Sequence, residues 1–239
     1  MNATRRAAGF TLVELLTVVI IIGLLAAILL PTVTSAIKTA YAAQSRTRVN
    51  SLDKGCELYK KEHLLYPGQR YMQTTGALQL NKTGSQVLAA SMYLYDLAKT
   101  TYPAPADLIP RGGFDTYKEE FLVPDGKQTG KLSTDCPFYL SDGFPRQQAY
   151  AILYFPAVPG SQNTVDPASG NYRYEHNQLH TDFLPVNAHG TNQKTEFFRR
   201  ITDDRFAVTP GRPFRYNQFL LIAPGPDRKY FTADDVRNF

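Results

Sequence analysis

Glu14 stands at the head of an apolar run, Leu15 to Leu30, that reads as a membrane-spanning helix. An ionised acid deep in a bilayer costs roughly 2.5–3.5 kcal/mol on insertion scales, so Glu14 needs a positive partner. The run itself holds none, which points to a cation on another chain. Far along the sequence, Asp227, Asp234 and Asp235 lie in a Gly/Pro-rich stretch, residues 223–236. Such a loop can fold around one calcium ion, which takes about six to eight oxygens from carboxylates, carbonyls and water. Backbone carbonyls of Pro224 and Thr232 are candidate further ligands, and the competing reading is a solvated turn capped by Asp.

The elements that position these groups follow from periodicity. Behind the apolar run, Val33, Ile37, Tyr41, Val49, Leu52, Cys56 and Tyr59 recur at helical spacing, with polar residues between them. One helix is predicted from about Thr11 to His63, roughly 80 Å long at 1.5 Å per residue. Pro31 is placed to kink it, and Tyr66-Pro67-Gly68 to stop it. Residues 83–99 suggest a second, shorter helix. Residues 101–148 are dense in turn formers and read as an insertion. Three strands are predicted, at 149–155, 171–174 and 214–222, the last alternating over 214–217 before the apolar 219–222. Short connections favour an antiparallel sheet with one face laid on the amphipathic half of the long helix.

Composition narrows the function. Arg5 and Arg6 precede the span and no charge follows it until Lys38, which leaves the N-terminus cytoplasmic. The formal charge of +5 is a weak bias over 239 residues and gives no footing for nucleic-acid binding. Trp is absent while Tyr (15) and Phe (14) abound, so rings and aliphatics must build the core. Cys56 and Cys136 form no CxxC, and no phosphate-binding G-x-x-x-x-G-K-[ST] occurs. His176 and His180 share an i, i+4 spacing, but the Asn, Pro and Gly around them argue against a helix presenting both to zinc. A secretory signal would end in a small-residue cleavage site, yet the nearest, Ala26-Ala27, sits inside the apolar run.

The N-terminus resembles the type IV pilin and type II secretion pseudopilin family, G-type major pseudopilins in particular. The resemblance rests on Gly9, then Phe10-Thr11-Leu12-Val13-Glu14, the apolar helix, Gly23 and Pro31. Leu58-Tyr59-Lys60 followed by Tyr66-Pro67 agrees with it at the helix end. It implies an α+β pilin-like fold without enzymatic activity, cut after Gly9 and methylated on Phe10 by a prepilin peptidase. Glu14 would then guide assembly, neutralised by the α-amino group of Phe10 on a neighbour. The implied partners are identical and related subunits, an inner-membrane assembly platform and membrane lipid.

The same resemblance implies a structural calcium ion held by Asp227, Asp234 and Asp235. Arg228 and Lys229 depart from the family pattern there, standing where Gly and a small residue are usual. The expected division is a leader, 1–9; a transmembrane or filament-core helix, 10–31; an amphipathic half, 32–65; and a periplasmic domain, 66–239, with its insertion at about 72–148. The alternatives to a secretion pseudopilin are a minor pilin of a type IV pilus and a membrane-anchored binding protein or enzyme.

Overall fold

The computed structural model describes residues 11–72, 83–93, 122–124, 138–145, 149–177, 193–206 and 210–239. Helix α1 runs Leu12–His63, close to the predicted limits. The chain divides into two compact units, Met1–Ala40 and Tyr41–Phe239. In the first, the apolar side chains from Leu12 to Leu30 are exposed, and Leu12 is 80% accessible. In the second, Val49, Leu52 and Cys56 of α1 are fully buried. Leu64 closes α1 with its N–H on the Lys60 carbonyl, in the left-handed region (φ 64°) usually left to glycine. Tyr154 then fixes the following turn by donating its hydroxyl to the Pro67 carbonyl at 2.8 Å.

The sheet carries the domain. Strand β3 (Leu153–Pro156) pairs antiparallel with β4 (Phe219–Ala223), which pairs antiparallel with β5 (Val236–Arg237). Every residue of β3 and β4 is buried. Alternation sends Ile152, Tyr154, Phe219 and Leu221 to one face, with α1 and with Leu88, Ala89 and Met92 of helix α2 (Gly84–Met92). It sends Leu153, Phe155, Leu220 and Ile222 to the other, with Phe197 and Ile201 of helix α3 (Gln193–Ile201). There Phe197 packs at a tilt on Phe155, ring centroids 4.6 Å apart, and edge-to-face on Phe231 at 5.5 Å. The helix-facing side matches expectation, and the second, aromatic layer is additional. Burial on two faces explains why β4 reads as a continuous apolar run.

A second, two-stranded pair, β1 (Leu122–Pro124) with β2 (Phe138–Leu140), falls in the turn-rich stretch where no strand was expected. Two predicted strand segments are corrected. Residues 171–174 lead into a 3₁₀ turn, Tyr174–Asn177, because Tyr172 and Tyr174 bury their rings without a ladder partner. Residues 214–217 form a turn in which Arg215 (φ 47°) and Asn217 (φ 60°) are left-handed, which a strand cannot accommodate. That turn is held by the Asn217 N–H on Asn171 Oδ1 at 2.7 Å. Its Arg215 reaches α1, meeting Asp53 at 2.5 Å and Glu57 at 3.5 Å, and also bonds the Asn238 carbonyl. Cys56 is a buried free thiol, and Cys136 lies outside the described residues.

Helix α2 opens on a capping box between Thr83 and Gln86 and is seated hard on β3. A Cβ at Gly84 would stand 1.9 Å from the Tyr154 carbonyl oxygen. Asn177 bridges the junction, donating to that same oxygen and accepting from the Ser85 N–H. Gly84→Ala is therefore expected to destabilise the fold by about 2 kcal/mol or more, as overpacking against rigid backbone does. Urea denaturation of the detergent-solubilised chain measures it, and an unchanged midpoint would contradict this seating.

Candidate functional site

Two groups of polar residues stand out from the packing. The first heads α1. Thr11 accepts the Glu14 N–H on its hydroxyl at 3.2 Å, and donates its own N–H and O–H to Glu14 Oε2 at 2.9 and 2.8 Å. This is a reciprocal capping box, which satisfies donors that a helix start otherwise leaves open. It also sets the carboxylate at the positive end of the helix dipole. The spacing Thr-x-x-Glu is the sequence signal for it, masked by the membrane cost that makes the same Glu14 conspicuous. Gly9 and Phe10, the expected cleavage and modification positions, lie outside the described residues.

The second group is the connection from β4 to β5. Asp227 donates its N–H to Asp234 Oδ2 at 3.0 Å, which draws the two ends of the loop together. Thr232 donates its hydroxyl to Asp234 Oδ1 at 2.6 Å and its N–H to Asp235 Oδ2 at 3.1 Å. Asp227 Oδ1 accepts the Lys229 N–H at 2.9 Å. Gly225 is required here, since a Cβ would lie 2.2 Å from the Asp234 carbonyl oxygen. Arg228 and Phe231 both take φ 62°, a conformation that costs a non-glycine residue roughly 1 kcal/mol.

The donor set of this loop suits a hard cation: three carboxylates and a threonine hydroxyl, with no sulfur or imidazole. Asp235 is buried and makes no ion pair among the described residues. The carboxylates bond to the loop's own donors, and no group of three or more His, Cys, Asp or Glu side chains stands at metal-holding spacing among the described residues. His176 is buried in its 3₁₀ turn, and His180 is outside the described residues.

Comparison with known proteins decides the family. The family model for the prokaryotic N-terminal methylation motif matches residues 4–30. The chain is 30% identical to the type II secretion system core protein G of Pseudomonas aeruginosa over 132 residues, 53% of this chain and 89% of that protein. The chain belongs to the G-type pseudopilin family. No solved structure matches it. As a pseudopilin it is a structural subunit rather than an enzyme, and α1, which is long and apolar enough to cross a membrane, is its anchor.

Burial, above all, pushes the Asp235 carboxyl up to about 8, and the neighbouring Asp234 adds to it. An unfolded chain would release that proton near pH 4, so the folded state binds it more tightly. In metal-free pseudopilin this group therefore costs nothing at about pH 4, and stability falls as pH rises towards about 8. Asp235→Asn should flatten that part of the profile, melting above the native chain at pH 8 and level with it at low pH. Parallel melting curves across the range would show that Asp235 is not the group responsible.

Proposed function

We propose that this pseudopilin is made as a membrane-inserted precursor, cut after Gly9 and methylated on Phe10 by a prepilin peptidase. It then joins a type II secretion filament at an inner-membrane platform. Before assembly the N-terminus is cytoplasmic and the domain beyond the span is periplasmic. The observation that carries this reading is an exposed, predominantly apolar helical segment with one carboxylate, Glu14, fixed at its first turn. In the filament core the exposed side chains pack on identical and related subunits. The α-amino group of Phe10 on a neighbour supplies the cation that Glu14 lacks, because an unpaired charge in an apolar core is heavily penalised. A separate ATPase would drive the filament; this chain carries no G-x-x-x-x-G-K-[ST] motif.

The test begins with the intact mass of the chain recovered from cells that carry the native processing enzymes. Loss of residues 1–9 with one added methyl group is expected. Gly9→Val should leave the precursor uncut, and Glu14→Ala should be cut yet fail to assemble or support secretion. A native chain still starting at Met1, or full secretion by both variants, would make α1 a static anchor and overturn the reading.

The loop carboxylates Asp227, Asp234 and Asp235 are the proposed holders of one structural calcium ion, supported by their oxygen-only chemistry. The ion would neutralise the buried Asp235 and fix the loop, with no catalytic part. Chelation, or Asp234→Ala, should lower the melting temperature of the full chain in detergent. Identical melting with calcium and with chelator would remove calcium from the account.

A further inference from the structure

Arg228 occupies a backbone conformation that favours glycine, so its side chain needs a reason to be there. The structure supplies one. Its guanidinium pairs with Asp142, whose side chain is fully buried. The same guanidinium carbon lies 3.8 Å from the Phe144 ring centroid and 4.3 Å from that of Tyr150. The other carboxylate oxygen of Asp142 accepts the N–H groups of Phe144 and Tyr150 at 3.2 and 3.3 Å. A planar cation between two rings and against a carboxylate is the setting in which arginine outperforms lysine.

The turn that carries Asp142 is in turn fastened to α1. Gly143 donates its N–H to Ser45 Oγ at 2.8 Å, so close that a Cβ there would meet the Ser45 nitrogen at 2.4 Å. Arg48 of α1 donates to the Ser141 carbonyl and hydroxyl at 3.1 and 2.9 Å and also to the Asp142 carbonyl. A chain of contacts thus runs from the C-terminal loop, through Arg228 and Asp142, to the amphipathic part of the long helix.

We propose that Arg228 is a built-in cation that fastens the β4–β5 loop to α1 through the Asp142 turn, whether or not the loop aspartates hold an ion. An ion held by Asp227, Asp234 and Asp235 would then order only the acidic tip of the loop, while the pairing of Arg228 with Asp142 holds its root without metal. The role goes beyond the filament reading: it makes the position of the loop on the helix a property of the chain rather than of the ion supply.

Hydrogen exchange on the full chain in detergent, with calcium and with chelator, tests this. In the native chain, peptides covering 141–150 should keep their protection in chelator. Arg228→Gly relieves the backbone and removes the pin. It should lose at least tenfold protection over 141–150 and 223–228 in both conditions, and Arg228→Lys should recover part of it. Should the glycine variant not fold, Asp142→Asn keeps the shape and should lower protection over the same peptides. Native-like protection of Arg228→Gly, or of Asp142→Asn, in chelator would overturn the pin. So would a loss over 141–150 when the native chain is merely stripped of calcium. If calcium shifts no variant at all, the calcium reading falls and the chelator series still decides the role of Arg228.

Discussion

Strand β4 is buried on both faces and paired on both sides, and that constraint organises the domain around it. One edge is paired with β3 from Phe219 to Ile222, and the other with β5 at Ile222 and Ala223, with Asn238 bonding Leu221 on that side. Its faces need two separate apolar covers. The α1 stripe of Val49, Leu52 and Cys56, with α2, provides one. The aromatic layer of Phe197, Tyr172, Tyr174, Tyr230 and Phe231 provides the other. At roughly 1.5–3 kcal/mol for each large side chain taken out of water, these two layers are the main source of stability available to the fold. Because β5 is the second edge, the loop that leads into it must be held in register, and its carboxylates are held with it.

The long helix was legible because its signal is redundant: apolar run, amphipathic stripe and a Pro-Gly stop all agree on Leu12–His63. Strand β4 was legible for the same reason, as an apolar run too short for a helix. Tyr172 and Tyr174 misled, since alternation reports burial on one side and not the presence of a ladder partner. Arg215 and Asn217 were unreadable as a turn because neither is Gly, and their left-handed conformations are imposed by contacts with Asp53 and Asn171, distant in sequence. Helix α3 hides in a polar segment, burying only Phe197 and Ile201, four residues apart. Of the candidate site, the aspartates of the loop could be named from sequence. That Asp234 sits between Asp227 and Thr232, and that Asp235 turns inward, depends on the fold around Gly225.

At the N-terminus, satisfying hydrogen bonds and cancelling charge are separate requirements. The Thr11–Glu14 box gives the carboxylate two close donors and a favourable dipole, which lowers the cost of keeping an acid beside apolar residues. It leaves the net negative charge in place. A neutral amide at position 14 would keep much of the box and lose the charge, so capping alone does not account for an acid here. A cation brought by a neighbour, as proposed, would account for it, and the box would present the carboxylate to it in a fixed orientation.

The C-terminal loop meets the opposite problem: three carboxyl groups crowd one short connection, Asp227 and Asp234 exposed and Asp235 buried. Repulsion between Asp227 and Asp234, and the burial of Asp235, oppose closure, while β5 demands it. Hydrogen bonds from Thr232 and the loop amides offset part of that repulsion but bring no positive charge. A bound ion would meet the need at the acidic end and would do nothing for Asp142, which is buried beneath the root of the loop and fully enclosed. Arginine at 228 meets that second need from within the chain, by an ion pair, at the cost of a left-handed backbone. A glycine there would ease the backbone and strand the Asp142 charge. Leaving a buried carboxylate without its partner typically costs about 3–5 kcal/mol, against roughly 1 kcal/mol for the strained φ. Pairing the buried charge outweighs relaxing the backbone, which is why an arginine holds a position that φ alone would give to glycine.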